Sequence, residues 1–360
     1  MELHKIEADG VATYVLLDSR MQLIQPVNRY LEYLRLRGRT ENTIKAYAYD
    51  LKVFFAFLES RGVSFEGVDT SVIREYVEYL RRNYDNVIEI FNKSARSPGT
   101  MNRMLGTITG FYSYLSSFED TCSPIPLTVP SNKPVVFKDI MYHTKRSNCT
   151  KSSIFKVKES DYKVHLLKPD EIQRMYSELP TYRDKLLFKF LLQSGARIGE
   201  ALSLKIHDVP VPDPTEPVTI LKGIKSKGKY RDIYIPSELA VELDEYILEN
   251  RVHIDTDHEY LFTTQHPYYG NKQITYRGIY EVFKRAAAKA GIEFRFHDIR
   301  HTYVTELIES GMDISVVRIL AGHAHISTTQ KYVTLSSEFI SKSLDIYWKS
   351  VAPEGADKNE

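Results

Sequence analysis

Apolar residues fall three and four positions apart through most of residues 25–118, the spacing of a single helix face. Val27, Tyr30, Leu31 and Leu34 mark the first such face, with Pro26 suited to its opening turn and Gly38 to its end. Ile44, Tyr47, Leu51, Phe54 and Leu58 mark a second. Thr40 or Asn42 can cap that helix, and Gly62 stops it. A third face carries Val72, Ile73, Tyr76, Val77 and Leu80, and a fourth carries Met104, Leu105, Ile108, Phe111, Tyr112 and Leu115. Four amphipathic helices with short connections predict a small helical domain over 22–118. Residues 1–21 stand before it as an N-terminal extension; its TYVLL stretch is strand-like, and nothing in it points to a role.

Periodicity lapses over 119–163. Prolines fall at 124, 126, 130 and 134, and basic and Ser/Thr/Asn residues dominate. This reads as a basic linker or an extended arm, long by the standard of ordinary loops. A second, mixed domain is predicted over 164–350. LKPDEIQRMYSEL starts a helix near Pro169, TYRDKLLFKFLLQSG forms another that ends at Gly195, and GARIGEALSL forms a short one. PVTILKGIK and KYRDIYIP read as two strands around a Lys/Gly turn. Helices are predicted over 237–250, 274–290, 297–309, 313–321 and 327–333. Leu335, Phe339, Leu344 and Trp348 line one face of a further amphipathic segment, and 351–360 is expected to fray. The fold class is therefore mainly α with a small β-sheet.

Composition narrows the class. Of the 360 residues, 42% are hydrophobic and 26% charged, an ordinary soluble balance. No apolar run approaches the roughly 20 residues of a membrane span. The start, MELHKIEADG, has no basic stretch followed by an apolar one, so no signal peptide is expected. Two cysteines, Cys122 and Cys149, make no disulfide framework, and the expected compartment is the cytoplasm. The net charge of +1 hides an uneven distribution: 131–158 holds seven Lys/Arg against one acid, and 222–231 holds five against none. Local positive faces of this kind suit phosphate binding, although such runs are as often merely solvated.

The residue types that bear on chemistry fall in order along the second domain. Arg197 sits in GARIGEALSL, with Glu200 three residues on; Lys227 lies in the turn SKGK. His297, Arg300 and His301 lie in FHDIRHTYVT, and His323 lies in LAGHAHISTTQKY, nine residues before Tyr332. Breaking a phosphodiester without a metal needs these types. Guanidiniums stabilise the charge gathering on the nonbridging oxygens, an acid protonates the leaving oxygen, and a nucleophile attacks. A side chain must be that nucleophile if the bond energy is to be kept for rejoining.

These blocks resemble the site-specific tyrosine recombinases, also called phage integrases. SGARIGEALSL resembles the family's first motif, HDIRHTYVT its second and LAGHAHISTTQKY its third, with Ala321 set between Leu320 and Gly322. TENTIKAYAYDLKVFFAFL is similar to the opening helix of the family's SAM-like core-binding domain. The resemblance implies an N-terminal four-helix core-binding domain and a C-terminal catalytic domain. It implies that Arg197 and Arg300 clamp the scissile phosphate, that Lys227 is the general acid, and that His297 assists proton transfer. His323 would hydrogen-bond the phosphate, Glu200 would orient its neighbours, and Tyr332 would attack to give a 3′-phosphotyrosyl link. Lys225 is the substitute for Lys227, since both lie by the turn. Lys225, Lys229, Lys45 and Arg103 are candidate DNA contacts. No cofactor and no metal are implied. The implied partners are double-stranded DNA and three further copies in a homotetramer on paired sites, with a second recombinase or an accessory protein as a further partner and no membrane. Chain length and the long linker point to integration or transposition of a mobile element.

Other readings compete. Chromosome or plasmid dimer resolution, a type IB topoisomerase, and an inactive architectural DNA-binding protein share much of this pattern; no catalytic position is degraded, which argues against the last. His297 and His301 stand one helical turn apart, but Arg300 between them would oppose a metal ion. GIKSKGKY resembles a phosphate-binding loop, yet Tyr230 replaces its Ser/Thr and a strand follows where a helix is required. The tail face of Leu335, Phe339, Leu344 and Trp348 fits core packing as well as docking on a neighbouring subunit.

Overall fold

The computed structural model describes residues 1–8, 11–81, 96–118, 128–131, 150–153, 155–158, 165–213, 215–226, 229–264, 271–323 and 328–329. Lys227, Tyr332 and the amphipathic segment after Tyr332 lie outside them. The chain divides into two compact units, Met1–Tyr162 and Lys163–Glu360.

In the first unit the four helices form where the apolar spacing predicts them: α1 (Gln25–Leu36), α2 (Glu41–Arg61), α3 (Thr70–Arg81) and α4 (Pro98–Phe118). Thr40, and not Asn42, caps α2, its hydroxyl accepting the Thr43 N–H at 3.4 Å; Gly62 ends it at φ +66°. Phe54, Tyr76, Phe111 and Tyr112 are all but fully buried and meet edge to face across α2, α3 and α4.

Residues 1–21 do more than precede these helices. Strands β1 (Glu2–Ala8) and β2 (Val11–Leu17) pair antiparallel from Glu2↔Leu17 to Ala8↔Val11. Tyr14 and Leu16 of β2 are buried in the helical core. Asn28 of α1 bonds both backbone groups of Leu16, accepting its N–H at 2.8 Å and donating to its carbonyl at 3.1 Å. The linker also contributes a strand pair. Strands β3 (Thr128–Ser131) and β4 (Thr150–Ser153) pair antiparallel. Phe155 and Val157 then pack on the helical core, and Asn102 bonds Val157 at its N–H (2.8 Å) and its carbonyl (2.9 Å).

The second unit holds α5 (Pro169–Glu178), α6 (Tyr182–Ser194), α7 (Ile198–Ser203), α8 (Ser237–Tyr246), α9 (Tyr276–Ala290), α10 (Phe296–Glu309) and α11 (Ile314–Ala321). Strands β5 (Val218–Ser226) and β6 (Lys229–Pro236) form the predicted hairpin. Gly223, at φ +65°, sits in an irregularity of β5 between Leu221 and Ile224. The helix predicted over 237–250 differs: beyond Tyr246 it widens into a π turn, Ile247–Arg251. Buried Arg251 then gathers the carbonyls of Ile254, His258 and Tyr260 at 3.2, 2.7 and 2.8 Å. Among the described residues the small sheet is three separate two-stranded pairs. No helix of the described residues is long and apolar enough to cross a membrane.

Asn102→Ala removes both bonds to Val157. Docking of 155–158 should weaken by about 1–3 kcal/mol. Limited trypsin digestion should then cut faster at Lys156 and Lys158; an unchanged rate would show that Phe155 and Val157 hold the segment alone.

Candidate active site

Three chain turns build the site, and the first two are formed by local backbone rules. The first is the step from α6 to α7. Gly195 ends α6 in the left-handed region (φ +57°), where a Cβ would lie 2.1 Å from the Tyr303 ring. A glycine is required on both counts. Arg197 follows as the N-cap of α7, and Glu200, three residues on, accepts its backbone N–H at 2.9 Å. The Arg-x-x-Glu spacing is thus half of a capping box. It also brings the Glu200 carboxylate back to the Arg197 guanidinium, 2.8 Å from Nη1.

The second turn is the end of α11. Gly322 caps it at φ +63°, and the N–H groups of Gly322 and His323 satisfy the carbonyls of Ile319 and Arg318. The next three carbonyls have no partner within the helix. Each takes an arginine. Arg231 Nη1 donates to Leu320 at 2.9 Å, Arg300 Nη2 donates to Ala321, and Arg197 Nη2 donates to Gly322 at 3.2 Å. Cations suit this end of a helix, where the dipole is negative.

The third turn is the start of α10, which carries His297 and Arg300. Arg300 is 2% exposed, and its Nη1 donates to the Gly195 carbonyl at 2.7 Å. That bond ties α10 to the end of α6. His297 is exposed, and its ring meets that of His301 edge-on, centroids 4.8 Å apart.

Arg197, Glu200, Lys225, Ser226, His297 and Arg300 line one cleft of about 560 Å³. His323 is buried beside it, its Nδ1 2.9 Å from the buried Thr329 hydroxyl. The structure therefore brings together Arg197, Glu200, His297, Arg300 and His323. Lys225 is exposed at the cleft and Lys229 is exposed on β6. Among the described residues, no group of three or more His, Cys, Asp and Glu is arranged to hold a metal ion.

Charge explains the ionisation states. Burial would raise the Glu200 carboxyl, but hydrogen bonds and charge from Arg231, the Ser226 hydroxyl and the Arg197 N–H pull it down to about 2. Burial, with Arg300 and Arg197 alongside, lowers His323 to about 4. Burial, His297 and Arg300 do the same to His301, also to about 4. Both histidines are neutral near pH 7.

Two basic residues have ion partners that the sequence does not show. Arg231, counted there within a basic run, is turned inward: its side chain is 12% exposed and its Nη2 lies 2.7 Å from Glu200 Oε2. Arg103 has an ion partner, Asp50, at 2.5 Å; that carboxylate is 2% exposed and also takes the Thr107 hydroxyl at 2.8 Å. Lys45 is exposed on α2.

The family model described as phage integrase family matches residues 165–338. A second, described as the phage integrase N-terminal SAM-like domain, matches residues 27–117. Transposase A from transposon Tn554 of Staphylococcus aureus is 30% identical over 357 residues, 96% of this chain and 98% of that one. The chain belongs to the phage integrase family. It is a tyrosine recombinase, an enzyme that cuts and rejoins DNA. The recombinase is also 28% identical to tyrosine recombinase XerC of Leptospira interrogans over 327 residues, 90% of this chain and 93% of that protein. Its fold is similar to that of XerH site-specific recombinase bound to palindromic difH substrate, with a TM-score of 0.59, 20% identity, and coverage of 86% of this chain and 81% of that one. The Tn1549 transposon integrase in complex with a circular intermediate DNA has a TM-score of 0.58 at 17% identity, covering 85% and 94%. The span matched to the integrase family includes positions 227 and 332.

The low values of His301 and His323 fix the sign of the acid response. Between about 6.5 and about 4 the unfolded chain binds protons that the folded recombinase does not. Stability should fall as pH drops through that window. Glu200 extends the loss from its ordinary 4.5 down to about 2, because its ionised form belongs to the folded state. Urea unfolding across the window should show His323→Gln with a shallower slope than the parent, and an identical slope would contradict a buried neutral His323.

Proposed function

We propose that this recombinase cuts each DNA strand by attack of Tyr332 on the scissile phosphate, leaving a 3′-phosphotyrosyl link and a free 5′ hydroxyl. The observation that carries the reading is the cleft itself, where Arg197, His297 and Arg300 meet around a volume fit for a phosphodiester. Arg197 and Arg300 hold the nonbridging oxygens and stabilise the charge they gather in the transition state. His297, at the open edge, exchanges the proton of the nucleophile. His323 donates to the phosphate through the Nε2 edge, its Nδ1 being engaged by Thr329. Lys227 protonates the departing 5′ oxygen, with Lys225 as the substitute at the same hairpin. Rejoining is the same sequence reversed, so no nucleotide cofactor is consumed.

Full-length similarity to a transposase supports movement of a mobile element as the biological role. Four copies on two paired sites are required to exchange four strands, and the reaction belongs in the cytoplasm, where the element's DNA lies. Both units hold the duplex, Lys45 of the first and Lys229 of the second on phosphates; Arg103 contributes only its edge turned away from Asp50.

A duplex containing the footprinted site, nicked beside the cut, should trap a covalent protein–DNA adduct. Tyr332→Phe should form none, and Arg197→Ala or Arg300→Ala should lose at least ~10²-fold in cleavage. Equal adduct yields from the parent and Tyr332→Phe would refute the assignment. Strand exchange between two element ends, but not between two copies of a chromosomal site, supports transposition; the reverse supports dimer resolution.

A further inference from the structure

We propose that Arg231 is a positioning residue of the reaction, aligning Arg197 and the segment that carries His323. This rests on the recombinase reading above. Arg231 leaves β6 and passes under the end of α11. Its Nη2 donates to Glu200 Oε2 at 2.7 Å, its Nε lies 3.3 Å from Oε1, and its Nη1 donates to the Leu320 carbonyl at 2.9 Å. One planar group thus joins the hairpin, α7 and α11.

Its surroundings exclude a role as a phosphate contact at the surface. The side chain is 12% exposed, whereas Lys225 and Lys229, flanking it along the hairpin, are exposed. Gly322 marks how closely α11 approaches. A Cβ there would lie 2.7 Å from Arg231 Cδ and 3.0 Å from Nε. The glycine of the LAGH motif therefore serves two ends: it adopts φ +63°, and it leaves room for this guanidinium.

Arg231 acts through Glu200. That carboxylate is 2% exposed and lies between two guanidiniums. Arg231 and Ser226 hold it from the hairpin side, and Arg197 holds it from the cleft side. Without Arg231 a buried carboxylate has Arg197 as its one remaining guanidinium, and draws it out of the cleft. The Leu320 carbonyl also loses its donor, three residues before His323. Both changes displace groups that meet the phosphate, although Arg231 itself touches none of it. A displacement of about 1 Å is enough to slow such a reaction by roughly 10²-fold.

The test uses the full chain with Arg231→Met and Arg231→Lys. In the protein without DNA, carbon-13 NMR follows the Glu200 carboxyl. Arg231→Met should move its titration from about 2 to above the ordinary 4.5, and Arg231→Lys should leave it low. On the nicked duplex carrying the footprinted site, Arg231→Met should slow single-turnover adduct formation by roughly 10–100-fold while DNA affinity changes less than about threefold. Arg231→Lys keeps the charge but cannot fork to both partners, and should lose about three- to tenfold in the same step. A loss of affinity equal to the loss of cleavage would make Arg231 a DNA contact and overturn the role. Should Arg231→Met not fold, parent-like cleavage by Arg231→Lys overturns it instead. An unshifted Glu200 titration in Arg231→Met sinks the positioning role alone, whereas absence of any adduct with the parent protein sinks the recombinase reading on which it stands.

Discussion

A single buried carboxylate organises this site. Glu200 is 2% exposed, and it is ionised because Arg231, Ser226 and Arg197 all donate to it. A buried ion stripped of its partners costs about 3–5 kcal/mol. Two guanidiniums on one carboxylate leave an excess of positive charge, and that excess faces the cleft. An anion such as a phosphodiester is what completes the balance. On the mechanism proposed above, the buried acid has a use: it would fix the arginines before a phosphate arrives.

The same economy operates at the end of α11. Helix termini leave carbonyls that must be satisfied when buried. Here Arg231, Arg300 and Arg197 satisfy three in succession. Arginine suits both tasks, since its five donors point in a fixed plane and can serve a carbonyl and a carboxylate at once. The helix end in turn sets where His323 begins, and Thr329 sets its ring. Charge that lines the cleft and charge that closes a helix are drawn in part from the same side chains, Arg197 and Arg300, so neither can be altered alone.

Much of this was legible in the chain, and the parts that were not share a cause. Helices α1, α2, α3 and α4 follow from local periodicity, and their buried residues include nearly every apolar position singled out. Arg197, Glu200, His297, Arg300 and His323 were recognisable because motif spacing is also local: capping at Arg197–Glu200 and the turn at Gly322 need only neighbours in sequence. Arg231 was counted only as one member of a basic run, phosphate-binding or solvated, because its acid lies 31 residues away. The ion partner of Arg103 was invisible for the same reason, with Asp50 53 residues distant. The hairpin of β1 and β2 gave only a strand-like stretch, since its pairing and the Asn28 clamp on Leu16 depend on tertiary placement. A basic side chain in a sequence carries no mark of whether water or a buried carboxylate awaits it.

Burial of the site's own charges bears on how the reaction can be reversible. A nucleophile that must be released again gains nothing from a site that reorganises at each step, because each rearrangement adds to the barrier in both directions. Donors already aimed avoid that loss, the advantage of preorganised electrostatics. Arg300 shows how far the protein goes: at 2% exposure its terminal nitrogens are held by the carbonyls of Gly195 and Ala321, fixing the plane of the guanidinium from behind. Arg197, 26% exposed and held by Glu200, Ser226 and Gly322, is the more open of the two. The cleft therefore has one arginine set rigidly in its wall and a second reaching into it. On the mechanism proposed above, such a pair would stabilise charge on the phosphate equally whether the strand is being opened or closed.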